Sequence, residues 1–373
     1  MTAHDPTFTR RRLLARAGVA TLAIGGLPLE SAARATLYEE RSMRPRPRHL
    51  DPARTMHIVG DTHFGAVAEE RMAAVLRDVN ALNFAPSLHL HVGDVTDVGR
   101  PQQDLLALQW LDGLAGPWIA ACGNHDIWDN GRSADDFARA FGNSSANFVR
   151  DLGYATLIVL SYERLRPGDN GTMWLSRDQV RWLDETLTAA RKTCIIVSHA
   201  TLYGTVGGDE MLLYTSRTPG FYIRSDGREP DALLREVLAR RPQARLWVSG
   251  HTHSPFSAPG IIAKIELGTR RMMSLNASAL FYTGRRITRT DALSSLFVTC
   301  WSDRIDIRRR DHATGTWAPL AEQPVVSIPL ADLDAAADDG RFRRAGPLAK
   351  REGIVVKADR GHTLGALEWE LPG

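Results

Sequence analysis

Five apolar runs in this 373-residue sequence each end in a side chain able to bind a metal ion. HIVG precedes Asp61, LHLHVG precedes Asp94, WIAACG precedes Asn124, CIIVS precedes His199 and LWVSG precedes His251. Neighbours enlarge the set: His63 lies two places after Asp61, His125 and Asp126 follow Asn124, and His253 lies two places after His251. Taken singly, such short pairs arise by chance and a lone histidine is more often structural. Their order gives them weight, because every group stands directly after its own strand-like run. Glycine precedes four of the five leading ligands, at Gly60, Gly93, Gly123 and Gly250, where it permits sharp turns and close backbone approach.

For these donors to meet, the fold must gather strand ends. Short apolar runs at Met56–Gly60, Leu88–Gly93 and Trp118–Gly123 alternate with helical stretches near Glu69–Leu82 and Gln102–Leu114. This is the βαβ rhythm of a largely parallel sheet, whose strand carboxyl ends share one edge and bind ligands in the crevice outside it. Asn147–Glu163 reads as a hairpin turning at Gly153. Ser176 opens a helix with Gln179 three places on, the signature of a capping box. A strand at Thr193–Ser198, a helix at Asp231–Arg240 and a strand at Ala244–Gly250 follow. Ile261–Leu267, Leu296–Trp301 and Arg304–Arg309 read as an added antiparallel layer.

The chain divides on this reading into residues 1–35, 36–54, 55–330 and 331–373. In the first, Thr9-Arg10-Arg11-Arg12-Leu13-Leu14 precedes a mild apolar run from Ala17 to Leu29 and then Ala33-Arg34-Ala35, which resembles a twin-arginine signal peptide. The apolar run holds Gly25, Gly26 and Pro28 and falls short of the roughly 20 residues a membrane span needs. A periplasmic or secreted location and the twin-arginine export machinery are the matching expectations. Residues 36–54 read as an Arg- and Pro-rich linker, and 331–373 as a tail packing on or extending the domain. The formal net charge is +3; without the first 35 residues the chain carries 41 basic and 41 acidic residues. A broad basic surface for nucleic acid is therefore not expected, nor is a stable membrane partner. Cys122, Cys194 and Cys300, odd in number and without CxxC spacing, read as buried apolar thiols.

Asp61-Thr62-His63, Gly93-Asp94, Gly123-Asn124-His125-Asp126, Ser198-His199 and Gly250-His251-Thr252-His253, in this order, resemble the calcineurin-like metallophosphoesterase family, whose pattern is DxH, GD, GNH(D/E), H and GHxH. The likeness spans roughly Thr55 to Trp301. It implies a four-layer α/β/β/α sandwich with the metal site at the carboxyl ends of the central strands. It further implies one metal held by Asp61, His63, Asp94 and His253, and a second held by Asp94, Asn124, His199 and His251, with Asp94 bridging. Mixed imidazole and carboxylate ligation suits manganese, iron or zinc better than magnesium or calcium. The implied activity is hydrolysis of a small-molecule phosphate mono- or diester by a metal-bridging hydroxide, with His125 as general acid and Asp126 orienting its ring. One departure stands out: the family often has Pro two places after the single His, where this chain has Thr201.

Other features compete for attention. His89 and His91 form an HxH pair, but Val92-Gly93-Asp94 follows where the HxHxDH motif of metallo-β-lactamase-like hydrolases needs x-Asp-His. Alternation puts both on one face of their strand, and they read, with His57, as structural. Purple acid phosphatases place Tyr shortly after Gly-Asp, where Val95-Thr96-Asp97-Val98 stands here. Asp97 either seats the loop beside the ligands or caps the next helix. The long segment after His199 carries Arg217 and Arg224, which could clamp a phosphate, and Tyr203, Tyr214 and Tyr222, which could stack on a base or sugar. The competing functional class is a non-catalytic metal-binding or interaction module on the same fold.

Overall fold

The structure, a computed structural model, describes residues 50–66, 69–128, 131–162, 175–202, 205–206, 232–258, 260–280 and 293–334. Residues 1–49, which include the expected signal segment and most of the expected linker, and residues 335–373 of the expected tail lie outside these. In chain order the elements are β1 (Thr55–Val59), α1 (Glu69–Asn80), β2 (Leu88–His91), α2 (Pro101–Asp112), β3 (Trp118–Ala120), α3 (Ala134–Ala140), β4 (Phe148–Asp151), β5 (Thr156–Leu160), α4 (Arg177–Ala189) and β6 (Cys194–Ser198). There follow α5 (Ala232–Arg240), β7 (Ala244–Ser249), β8 (Ile262–Leu267), β9 (Arg270–Asn276), β10 (Ser294–Cys300), β11 (Arg304–Asp311), β12 (Thr316–Ala318), β13 (Val326–Pro329) and the short α6 (Ala331–Asp334).

These strands make two mixed sheets. The first has the order β12-β11-β10-β1-β2-β3 with β13 against β11, and the second has β4-β5-β6-β7-β9-β8. Within them β1-β2-β3 and β5-β6-β7-β9 run parallel. Met56, Ile58, Leu88 and Leu90 of the first sheet share one buried cluster with Leu157, Val159, Ile195, Val197, Leu246 and Val248 of the second. The two sheets are thus packed face to face. The alternate residues, such as Val59 and Ala120 or Ile158 and Ile196, face outward into a cluster with Val75 of α1, Trp110 of α2, Leu183 of α4 and Leu238 of α5. The result is the α/β/β/α sandwich. Each of these buried Val, Leu, Ile and Met side chains stabilises the fold by roughly 1.5–3 kcal/mol.

The expected added antiparallel layer is not separate. β8 and β9 join the second sheet, and β10 to β13 extend the first. The cause lies in their alternation: Met273 and Leu275 of β9, and Leu296 and Val298 of β10, point into the same inter-sheet core, so each strand lengthens a sheet already facing it. The hairpin turns at Gly153 with φ of 81°. The Ser176–Gln179 capping box forms as expected, and a second one, Ser133 with Asp136, starts α3. α6, where the expected tail begins, buries Leu333 in the inter-sheet core. Cys122, Cys194 and Cys300 are buried free thiols. No helix among the described residues is long and apolar enough to cross a membrane.

Candidate metal centre

The loops after β1, β2 and β3 bring Asp61, His63, Asp94, Asn124 and His125 from the first sheet, and those after β6 and β7 bring His199, His251 and His253 from the second. The crevice therefore straddles the seam between two sheets instead of following one edge. Parallel pairing of β1 with β2 continues past the strand ends: Asp61 N donates to Gly93 O at 3.0 Å, His63 N to Asp94 O at 3.1 Å and Phe64 N to Val95 O at 2.9 Å. Backbone amides of the second sheet's loop then cross the seam, with His251 N donating to both oxygens of Asp61 at 2.9 and 3.0 Å.

The donors converge. One ligand atom each from Asp61, His63, Asp94 and His253 lies within 4.8 Å of the others, and so do atoms from Asp94, His199 and His251, so Asp94 belongs to both groups. His253 Nε2 is 3.1 Å from Asp61 Oδ1 and 3.2 Å from His63 Nε2. His199 Nε2 is 3.1 Å from Asp94 Oδ2 and 3.2 Å from His251 Nδ1. All six are buried. Asp61, His63, Asp94, His251 and His253 all have φ between 47° and 68°. Left-handed backbone at five non-glycine donors is strain of the kind that functional sites store.

The cradle is tight around these donors. A Cβ on Gly93 would lie 2.6 Å from the His199 ring, one on Gly250 would lie 2.5 Å from Asp61 Oδ2, and one on Gly123 would overlap the Asp94 amide and carboxylate. Only Gly93 of the four motif glycines has positive φ, at 110°, so close approach, more than turning, explains the set. Asn124 is buried at the start of the 3-10 turn His125–Ile127, between Gly123 and His125, whose amide donates to Asp94 Oδ1 at 2.8 Å.

Charge is distributed to suit a cation. Burial would raise Asp61, but His253 and His199 beside it bring it down to about 2. Burial would likewise raise Asp94, yet His199, His125 and His63 hold it well below the usual carboxylate range. Burial would lower His199, but Asp94 and Asp61 push it up to about 9. Burial, with His125 nearby, takes His63 down to about 4, and burial with His199 takes His251 to about 3. His199 Nδ1 donates to the Val92 carbonyl at 3.1 Å, which turns Nε2 toward Asp94. Ionised carboxylates among imidazole nitrogens, in a space without room for extra carbon, fit a borderline divalent ion such as manganese, iron or zinc.

His125 is half-buried and its ring stands edge-on to His63 at 4.5 Å. Its Nδ1 donates to the Asp97 carbonyl at 2.6 Å. The expected partner, Asp126, does not orient this ring. Its carboxylate is taken by Gly123 N at 2.8 Å and by Thr96 N and Oγ1 at 2.8 and 3.0 Å, which ties the loop after β2 to the loop after β3. Burial and the neighbouring Asp94 push Asp126 up to about 7. Asp97 acts from both ends, since its carboxylate Oδ1 lies 3.4 Å from His63 Nδ1. Arg217, Arg224, Tyr203, Tyr214 and Tyr222 lie outside the described residues.

Two contributors carried no sequence signal. Trp128 lies against His125 with ring centroids 4.5 Å apart, and nothing in its spacing announces that role. Asn276, at the end of β9, donates to Gly250 O at 2.7 Å and accepts from Ser278 N at 3.1 Å, so it holds the His251–His253 loop. It follows no glycine, and β9 has no counterpart in the sequence reading.

Known proteins share parts of this sequence and fold. A probable cyclic nucleotide phosphodiesterase of Synechococcus sp. is 29% identical over 195 residues, which cover 52% of this chain and 67% of that one. A dimetal phosphatase of Danio rerio superposes on 75% of this chain and all of its own with a TM-score of 0.51 at 12% identity. Wild-type Vps29 of Entamoeba histolytica, complexed with zinc, aligns over 74% of this chain and 99% of its own at 10% identity, with a TM-score of only 0.33. The model of the calcineurin-like phosphoesterases matches residues 55–255, more than half of the chain, and the protein belongs to that family.

Proposed function

We propose that this protein is a phosphoesterase acting on phosphodiesters through two divalent ions. The observation that carries this reading is Asp94, one carboxylate common to two groups of buried imidazole and carboxylate donors. Asp61, His63, Asp94 and His253 would hold one ion, and Asp94, Asn124, His199 and His251 the other. When bound, such ions polarise phosphoryl oxygens and lower the pKa of water toward neutrality.

The chain's own groups supply the rest. His125 is the half-buried member of the set, and its Nδ1–H is committed to the Asp97 carbonyl. Its Nε2 is thereby left to carry a proton to the leaving alkoxide as general acid. Trp128 and His63 limit the ring to this orientation by contact on its face and edge. Buried surroundings exclude bulk water from the donors and strengthen every charge interaction there. The cyclic nucleotide phosphodiesterase among the relatives supports a diester, and 3′,5′-cyclic nucleotides are the first substrates to assay. The segment Arg10 to Leu14 supports export of the protein, which sequencing of the mature amino terminus tests.

The experiment measures bound metal and turnover together, on bis-p-nitrophenyl phosphate, p-nitrophenyl phosphate and a cyclic nucleotide with added manganese. Wild type is expected to bind about two ions and to turn over diesters. Asp94→Ala should lose both ions, whereas His125→Ala should keep them and lose roughly 10²–10⁴ in rate. Tight metal binding with no turnover on any ester would replace this reading with the non-catalytic module.

A further inference from the structure

β2 ends in His91, a buried residue that alternation turns away from the inter-sheet core and toward the helices. Its ring reaches both loops that leave the parallel pair β1 and β2. Nε2 lies 2.9 Å from Thr62 Oγ1, and Nδ1 lies 3.3 Å from the backbone nitrogen of Gly93. Thr62 sits between Asp61 and His63, and Gly93 immediately precedes Asp94, so one imidazole touches the chain beside three metal donors.

The hydrogen bonds fix which nitrogen carries the proton. Thr62 Oγ1 is 2.9 Å from the Val95 carbonyl, which can only accept, so the hydroxyl hydrogen is spent there. The hydroxyl oxygen must therefore accept from His91, which requires hydrogen on Nε2. The Gly93 amide can only donate, so Nδ1 must be bare. The two requirements agree on a single neutral tautomer, and a second ring proton would set N–H against N–H at Gly93. Burial, which pushes His91 down to about 3, acts in the same direction.

The backbone held by this ring needs holding. Asp61, His63 and Asp94 have φ of 51°, 47° and 51°, in a region that costs an L-residue roughly 1–2 kcal/mol each. Such conformations persist only where the surroundings over-determine them. We propose that His91 is a positioning residue for the metal centre: as its Nε2–H tautomer it clasps the Asp61–His63 loop to the Gly93–Asp94 turn, so that donors from both loops stand in register. This rests on the reading of the cluster as a metal centre, and it extends that reading to a residue that ligates nothing.

The test uses the full chain and manganese alone, with affinity measured by calorimetry, content by elemental analysis and folding by circular dichroism. His91→Leu removes both bonds, and Thr62→Val removes the oxygen that His91 donates to. Each is expected to remain folded and to lose about 10–100-fold in manganese affinity. His91→Gln, which keeps an N–H donor near the Nε2 position, should recover most of that loss. The double variant should lose less than the two single losses combined, because both break the His91–Thr62 link. A residue that merely filled space would lower the melting temperature and leave affinity in the folded protein unchanged. Folded His91→Leu with wild-type affinity overturns the proposal. Should that variant not fold, wild-type affinity in Thr62→Val overturns it equally, as does a ring nitrogen signal showing hydrogen on Nδ1. Wild-type protein that takes up no manganese defeats the metal-centre reading instead, an outcome distinct from tight binding that survives loss of His91.

Discussion

Adding one carbon at Gly250 tests how closely the donor cluster is enclosed. A Cβ there would lie 2.5 Å from Asp61 Oδ2, 3.1 Å from Val92 Cγ2 and 3.3 Å from His199 Nδ1. Real Cβ contacts stay beyond 3.0 Å, so the carboxylate must retreat by at least about half an ångström. Metal–ligand distances tolerate only about 0.2 Å. Asp61 cannot slide away freely, because both its oxygens accept from His251 N at 2.9 and 3.0 Å. Gly250→Ala should therefore keep the fold, cost about 1–3 kcal/mol of stability through overpacking, and weaken manganese binding by two orders of magnitude or more. The assay pairs urea denaturation with manganese calorimetry and diester turnover. A Gly250→Ala protein with wild-type metal affinity and turnover would show that Asp61 is not a ligand held in this place, and would refute the argument.

Other perturbations separate scaffold from site. Arg270 is buried and donates to the carbonyls of Leu238 and Arg241 at 2.7 Å, and also to that of Ala244, closing the end of α5; Arg270→Ala should cost about 3 kcal/mol in a thermal melt with the metal content unchanged. Asp78 on α1 meets Arg310 Nε and Nη2 at 2.8 and 2.7 Å and His312 Nδ1 at 2.9 Å, so Asp78→Asn should cost about 3–5 kcal/mol in urea by stranding a buried cation. Burial would raise Asp78, but Arg310 and His312 hold it well below the usual carboxylate range, so its stabilisation is present above about pH 4 and disappears as pH falls further. His57, His89 and His312 are all lowered, chiefly by burial, with His89 at about 4, so the unfolded chain binds protons below about pH 6.5 that the folded chain refuses. Urea midpoints should drop from about pH 6.5 downward, by up to about 1.4 kcal/mol per pH unit for each of the three; a flat profile from pH 6.5 to 5.5 would contradict their neutrality.

Much of the centre was legible because its donors sit where strand periodicity stops. Runs such as HIVG and LWVSG locate a strand and its carboxyl end together, and the parallel rhythm puts those ends in company. What the runs do not encode is which sheet each strand joins. β1 and β6 look alike in sequence, yet they face each other across the core, so a single edge was expected where a seam exists. The partner of His125 was misread for a similar reason: Asp126 is its neighbour in sequence, but the 3-10 turn sends that carboxylate back to Gly123 and Thr96. Thr96 and Asp97 come from a different loop, and their bonds arise from tertiary packing that periodicity cannot carry. Asn276 was invisible because β9, with its charged Arg270-Arg271 start, alternates weakly.

The seam also explains how donors from two sheets keep ångström register without an isolated loop scaffold. Val92 follows β2 and points into the inter-sheet core, where its Cγ2 fills the space a Cβ on Gly60 would need, 2.7 Å away, and borders Gly250. Its carbonyl accepts from His199 Nδ1 of the opposite sheet, while the Gly250 amide donates to His199 O at 3.1 Å. Leu280 N donates to Gly60 O at 3.0 Å from the second sheet's side. Apolar packing and cross-sheet hydrogen bonds therefore meet at the same residues that precede the donors. Sliding one sheet on the other would break core contacts, misalign His199 with Asp94 and strand backbone groups in one movement. The cost of such a shift is what turns two sheet edges into one preorganised cluster of donors.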